Sequence, residues 1–215
     1  RIATGLFHPL SFGVMVIALV PGITHFASAI ITTKALIKAD ASTVFGLSQV
    51  NPVFAVFWSF LIFQNIYSWQ NYVGIMLIVA CALLLGIDNS AHKFRLNKAV
   101  WWVMGATFLR SISDLCLKYT LTEMAFWDAF ALSRSTLVIF ALSLLLVPMI
   151  RKEIFKPFKQ HGIKIVGIAG AIETFAVSNL MLVTLAYSLG PLALVSATQS
   201  TMPLFVVVYS VIALR

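Results

Sequence analysis

From Ala41 to Ile87 the chain carries no charged residue at all. A spanning helix needs about 20 apolar residues, each rising about 1.5 Å through a hydrocarbon core about 30 Å thick. The run is too long for one such helix and divides at the polar, uncharged segment Gln64-Asn65-Ile66-Tyr67-Ser68-Trp69-Gln70-Asn71. The rest of the chain follows suit. Hydrophobic residues make up 60% and charged residues 10%, against roughly 25% charged in a soluble domain, and mean hydropathy is +0.98. A soluble fold of this length could not hide that much apolar surface, so lipid is the solvent for most of it.

Applied along the chain, the same length test gives seven spans, at about 12–37, 41–63, 70–87, 99–119, 126–149, 163–188 and 192–214. Only His25 and Lys34 interrupt the first. The last two part at Gly190-Pro191, because proline disfavours helix in the residue before it. The ten-residue alternating segments of a membrane barrel do not occur. The expected fold is an all-α membrane protein, a polytopic bundle of about seven transmembrane helices. It belongs in a cell membrane as an integral, multi-pass protein with the lipid bilayer as its first partner.

The net charge of +8 sits in short stretches between spans, which suits loops facing anionic lipid rather than a nucleic-acid groove. No nucleic-acid partner is expected. Alternate loops place Lys34, Lys38, Lys93, Arg95, Lys98, Arg151, Lys152, Lys156, Lys159, Lys164 and Arg215 on one side, and Arg1 and Lys118 on the other. The positive-inside rule assigns the first side to the cytoplasm; Tyr67, Trp69, Tyr72 and Trp127 then form an outer aromatic belt. Cys81 and Cys116 lie in apolar runs without metal-ligand spacing and read as small packing residues. A chain that opens on Arg1 and stops after an apolar run reads as a piece of a longer one.

Sliding the chain by roughly 150 residues lays the first two spans over the last two. Ile17 and Ala18 meet Ile168 and Ala169; Val44 meets Val195, Pro52 meets Pro203, Phe54 meets Phe205 and Ser59 meets Ser210. Three spans separate the matched segments, so each repeat holds an odd number and the second copy is inverted across the membrane. That arrangement is a transporter signature, with substrate bound where the halves meet.

Thr33-Lys34-Ala35-Leu36, Ala41-Ser42-Thr43-Val44, Val50-Asn51-Pro52-Val53-Phe54 and Val73-Gly74-Ile75-Met76-Leu77-Ile78-Val79, with the second copy running from Gly190-Pro191-Leu192-Ala193-Leu194-Val195 to Met202-Pro203-Leu204-Phe205, together resemble the EamA-like repeat of the drug/metabolite transporter superfamily. The resemblance implies a ten-helix fold of two inverted five-helix repeats, of which this chain would hold the third to ninth helices. Residues 1–89 would be a partial first repeat and 98–215 a partial second. Gln64 stands where that family has Glu, and Cys81 where it favours Gly. Members of the family keep the N-terminus inside, which would reverse the orientation; the local charge count favours the basic loops inside.

Ionisable groups inside a bilayer are costly and so default to functional candidates. Arg110 and Asp114, four apart on one helix face, can pair with each other or line a pathway. Lys118, a turn further on, is expected to reach the interface. Glu173 stands alone in its span and is the candidate for proton coupling, the alternative being a neutral, hydrogen-bonded glutamate. His25, on the repeat-equivalent span, suits a proton relay or a packing role. Gln49 and Asn51 precede Pro52, and Gln199 and Ser200 precede Pro203. Proline frees an upstream carbonyl at a helix bend, and amides beside it can line a polar cavity or simply bond between helices. Asn179 is a further pathway candidate, and Arg134 reads as an interface residue near the start of its helix.

The function expected is a secondary transporter or exporter of small organic metabolites, amino acids or similar amphipathic solutes, by alternating access between the repeats, with protons as the candidate coupling ion. No catalytic residue, metal or cofactor is expected: the phosphate-cradling loop of an ATPase is missing, and so are a nucleophile with its base and an HExxH metal set. The alternatives are a lipid or polyprenyl-carrier flippase of the same superfamily, an intramembrane enzyme, and a seven-helix receptor. Oligomeric state is not legible.

Overall fold

The computed structural model describes residues 12–39, 41–86, 98–202 and 212, and within them the chain is helical throughout, with no strand. Helix α1 runs Phe12–Leu36, α2 Ala41–Ser48, α3 Asn51–Leu61, α4 Trp69–Gly86, α5 Lys98–Glu123, α6 Phe126–Ser143, α7 Pro148–His161, α8 Ile163–Leu189 and α9 Leu192–Gln199. A short 3-10 turn, Leu144–Leu146, extends α6.

Among the described residues four stretches are long and apolar enough to cross a membrane: Phe12–Leu36, Val44–Leu61, Phe126–Leu146 and Val166–Leu189. Helix α5 has the length but carries Lys98, Arg110, Asp114, Lys118 and Glu123. It is instead the helix that the others surround, with α1 along it and α2, α3, α6, α8 and α9 touching it as well.

Small residues let α1 approach its neighbours. Gly22 is buried, and a Cβ there would stand 2.7 Å from Thr136 Cβ and 2.8 Å from both Leu137 N and Ser133 O of α6. Without a hydrophobic drive between helices in lipid, such close backbone contact and interhelical hydrogen bonds are what hold them together. Ser28 Oγ donates to the Ala106 carbonyl at 2.8 Å, and Ser113 Oγ to the Pro21 carbonyl at 2.9 Å. Pro21 lies inside α1, and its carbonyl takes the Ser113 hydroxyl while Thr24 Oγ1 bonds back to the Val20 carbonyl at 2.9 Å.

Two apolar clusters mark opposite ends of α5. At its start, Val103 packs with Ala35, Val44 and Leu47; near its end, Leu115 and Leu117 pack with Ala55, Tyr187 and Leu192. A third cluster joins Ile75 and Val79 of α4 to Ala193 and Ala197 of α9. Asn51 falls between Leu47 and Ala55, and Asp114 falls between Val103 and Leu115, so both lie between the first two clusters.

The span expected over 41–63 is divided. Helix α2 stops at Ser48, and Gln49 and Val50 form tight turns back to Gly46 and Leu47 before α3 begins. Pro52 cannot donate to the carbonyl four residues upstream, but in the first turn of a new helix that donor is not needed. The bend therefore precedes the proline. Pro203, which a shift of 151 residues lays on Pro52, lies outside the described residues, as does most of 203–214 in the last expected span. The same shift carries Ser48 onto Gln199, so α2 and α9 end at corresponding positions.

The basic stretch after the fifth expected span is a helix, α7, rather than a loop. Met149, Ile150, Ile154, Phe155 and Phe158 recur at helical spacing among Arg151, Lys152, Lys156 and Lys159, the pattern of a helix lying in the membrane interface. Gly162, at φ +60° and ψ −149°, makes the corner into α8 in a region open essentially to glycine alone.

Candidate polar site at the helix junction

A polar cluster sits where α3, α5 and α9 converge. The Asp114 carboxylate is buried and accepts a hydrogen bond from Asn51 Nδ2 at 3.1 Å. The same amide nitrogen donates to Ser196 Oγ of α9 at 3.0 Å. With both protons of Nδ2 spent, Asn51 Oδ1 is left buried with no donor among the described residues. Arg110 Nε lies 3.9 Å from Asp114 Oδ1, one turn back on the same helix, and its side chain is 38% exposed. That distance makes it a loose ion pair rather than a closed one.

Tyr187 of α8 is fully buried. Its hydroxyl accepts from Gln199 Nε2 at 3.1 Å and faces the Asp114 carboxylate. From α6, Arg134 comes within electrostatic reach of both Asp114 and Arg110. Its Nε and Nη1 are buried without an acceptor among the described residues, and its guanidinium carbon sits 5.5 Å from the centre of the Phe130 ring. His25 of α1 faces both arginines. The cluster thus draws on α1, α3, α5, α6, α8 and α9, and two guanidinium groups share one carboxylate. Trp58 closes the α3–α5 contact from the side, donating from Nε1 to Ser111 Oγ at 3.0 Å.

Of the residues singled out from sequence, His25, Asn51, Arg110, Asp114 and Gln199 meet here. Gln49 lies in the turn before α3, bonded from Nε2 to the Phe45 carbonyl at 3.0 Å. Ser200 is buried and turns its hydroxyl back to the Ser196 carbonyl at 3.3 Å. Glu173 and Asn179 are exposed on α8; Glu173 stands fourteen positions before Tyr187, about 21 Å along the helix, among the exposed Ile172 and Phe175.

Lys118 Nζ donates to the carbonyls of Tyr187 at 2.7 Å and Gly190 at 3.0 Å, at the corner between α8 and α9. A cation there answers the unsatisfied carbonyls and partial negative charge at the end of α8. Arg134 is not an interface residue but the cation with buried, unpartnered nitrogens. Its position in the middle of an apolar span carried that signal. Tyr187 and Ser196 carried none, since a lone tyrosine or serine in an apolar helix is indistinguishable from packing.

Among the described residues no three His, Cys, Asp or Glu side chains gather where a metal ion could be held. Comparison with protein-family models, curated proteins and solved structures finds no match to this chain.

Proposed function

We propose that the chain is the central part of a secondary transporter that moves small organic metabolites by alternating access between two inverted repeats, as an EamA-like permease would. The carrying observation is the hydrogen bond from Asn51 to Ser196 at the buried Asp114. Asn51 belongs to the first repeat and Ser196 to the second, so a polar site lies where the repeat-equivalent helices meet. Substrate sites of inverted-repeat transporters are found at such a junction, beside interrupted helices, and the interruption at Gln49-Val50 adjoins Asn51. The corresponding ends of α2 and α9 under one shift support the repeat. On this reading α4 and α5 also cross the membrane, with Asp114 of α5 buried among the surrounding helices.

The test is flux. The full-length protein in proteoliposomes is loaded with a panel of amino acids and organic acids, and counterflow of each labelled solute is measured. At least one solute should exchange, and Asp114→Asn should slow that exchange by about tenfold or more, because a charge-assisted contact contributes about 1.5–3 kcal/mol. If no solute moves under any gradient, the transport reading fails. Proton coupling is separable: gradient-driven uptake that survives unchanged in Glu173→Gln removes that carboxylate from the mechanism.

A further inference from the structure

We propose that the site takes a net-anionic organic acid, a small carboxylate carrying a neighbouring hydroxyl, with the carboxylate on Arg134 and the hydroxyl donating to Asn51 Oδ1. The inference rests on the transport reading of this site for its meaning, but its chemistry follows from the unpartnered groups. Arg134 leaves two buried nitrogens without an acceptor, and Asn51 leaves a buried oxygen without a donor. A ligand that satisfies all of them needs an acceptor of negative charge and a donor.

Charge decides between ligand classes. Arg110 and Arg134 outnumber Asp114, and His25 adds no negative group. Asp114 faces both Arg110 and Arg134, so a single carboxylate is shared between two guanidinium groups and one positive charge is left over. An uncompensated cation removed from water is unfavourable by far more than an unpaired amide, and a guanidinium matches a carboxylate in shape as well as sign. An amino-acid zwitterion would supply the carboxylate but bring an ammonium into a cluster already in cationic excess. A hydroxy acid supplies the same donor geometry without that charge.

Two matched series test this on the full-length protein in detergent: lactate, lactamide and alanine, then phenyllactate, its amide and phenylalanine. Binding is read from the concentration dependence of the melting temperature. In at least one series the hydroxy acid should bind about tenfold or more tightly than its amide, the ratio for one charge-assisted hydrogen bond, and more tightly than the amino acid. Arg134→Gln should remove the preference, and Arg134→Lys should restore part of it. Asn51→Asp, which adds a negative charge to the same cluster, should weaken the acid without weakening the amide, and it serves where Arg134→Gln does not fold.

Equal binding of acid and amide in both series overturns the assignment, as does a preference that survives Arg134→Gln. Flux of the same compounds in proteoliposomes separates this from the transport reading. Selective binding of the acid without flux sinks transport and leaves the assignment standing. Flux of neutral solutes with no preference for carboxylate does the reverse.

Discussion

Arg134 and Asn51 both leave buried polar atoms unpartnered, but only Asn51 also holds two hydrogen-bond partners, and the difference is measurable. Asn51→Leu takes the amide donor from the Asp114 carboxylate and from the Ser196 hydroxyl, and the protein should lose about 1–3 kcal/mol. Arg134 leaves donors unsatisfied in a buried setting, so without ligand Arg134→Gln should gain stability by a similar amount, about 1–3 kcal/mol. Thermal melts of both variants in detergent check the signs; a melt lowered by Arg134→Gln would mean the guanidinium is better satisfied than its geometry indicates. A function that costs stability at the site which performs it is the expected trade. Lys118 has the ordinary structural role, and Lys118→Met should cost about 1–3 kcal/mol by leaving the Tyr187 and Gly190 carbonyls without their donor.

Among the elements, α1 and α6 are held at a separation that only glycine permits. Gly22→Ala places a Cβ within 3 Å of the α6 backbone, which cannot yield as a side chain would, so the helices must part. A loss of about 1–3 kcal/mol is expected, read in the same melts, and an unchanged melting temperature would show the contact to be looser than described. The elements also show where sequence reasoning was sound and where it was not. The starts of α6 and α8 and the end of α8 fall within a residue of their expected positions, because length, apolarity and the Gly190-Pro191 stop are local properties. The bend expected at Pro52 is present but precedes the proline, at Gln49-Val50, whereas helix α7 was missed. Charge led the basic stretch to be read as a loop, although its apolar residues recur at helical spacing, and in an interfacial helix the two patterns coexist.

For the whole molecule, orientation is the open physical quantity. Ser68 and, on α7, Arg151, Lys152 and Lys156 are exposed, and the positive-inside rule sends the two groups to opposite sides. With single cysteines at Ser68 or Lys152, an impermeant thiol reagent applied to intact cells should label the first and not the second. The reverse pattern would overturn the charge assignment and agree with the orientation of the family that the sequence resembles.

The sequence by itself determined that the chain is helical and lives in lipid, since a stretch without charge from Ala41 to Ile87 has no other solvent. One shift of the chain also suggested the internal repeat on which the proposed function rests. Tertiary structure decided which polar residues meet. Asn51 and Ser196, 145 positions apart, and Tyr187 with Asp114 are joined only because α3, α8 and α9 converge on α5. Glu173, the most conspicuous carboxylate by sequence, lies on the far part of α8, away from them. A charge inside a span announces itself one residue at a time, whereas a site is a relation between helices, set by how small residues let them pack.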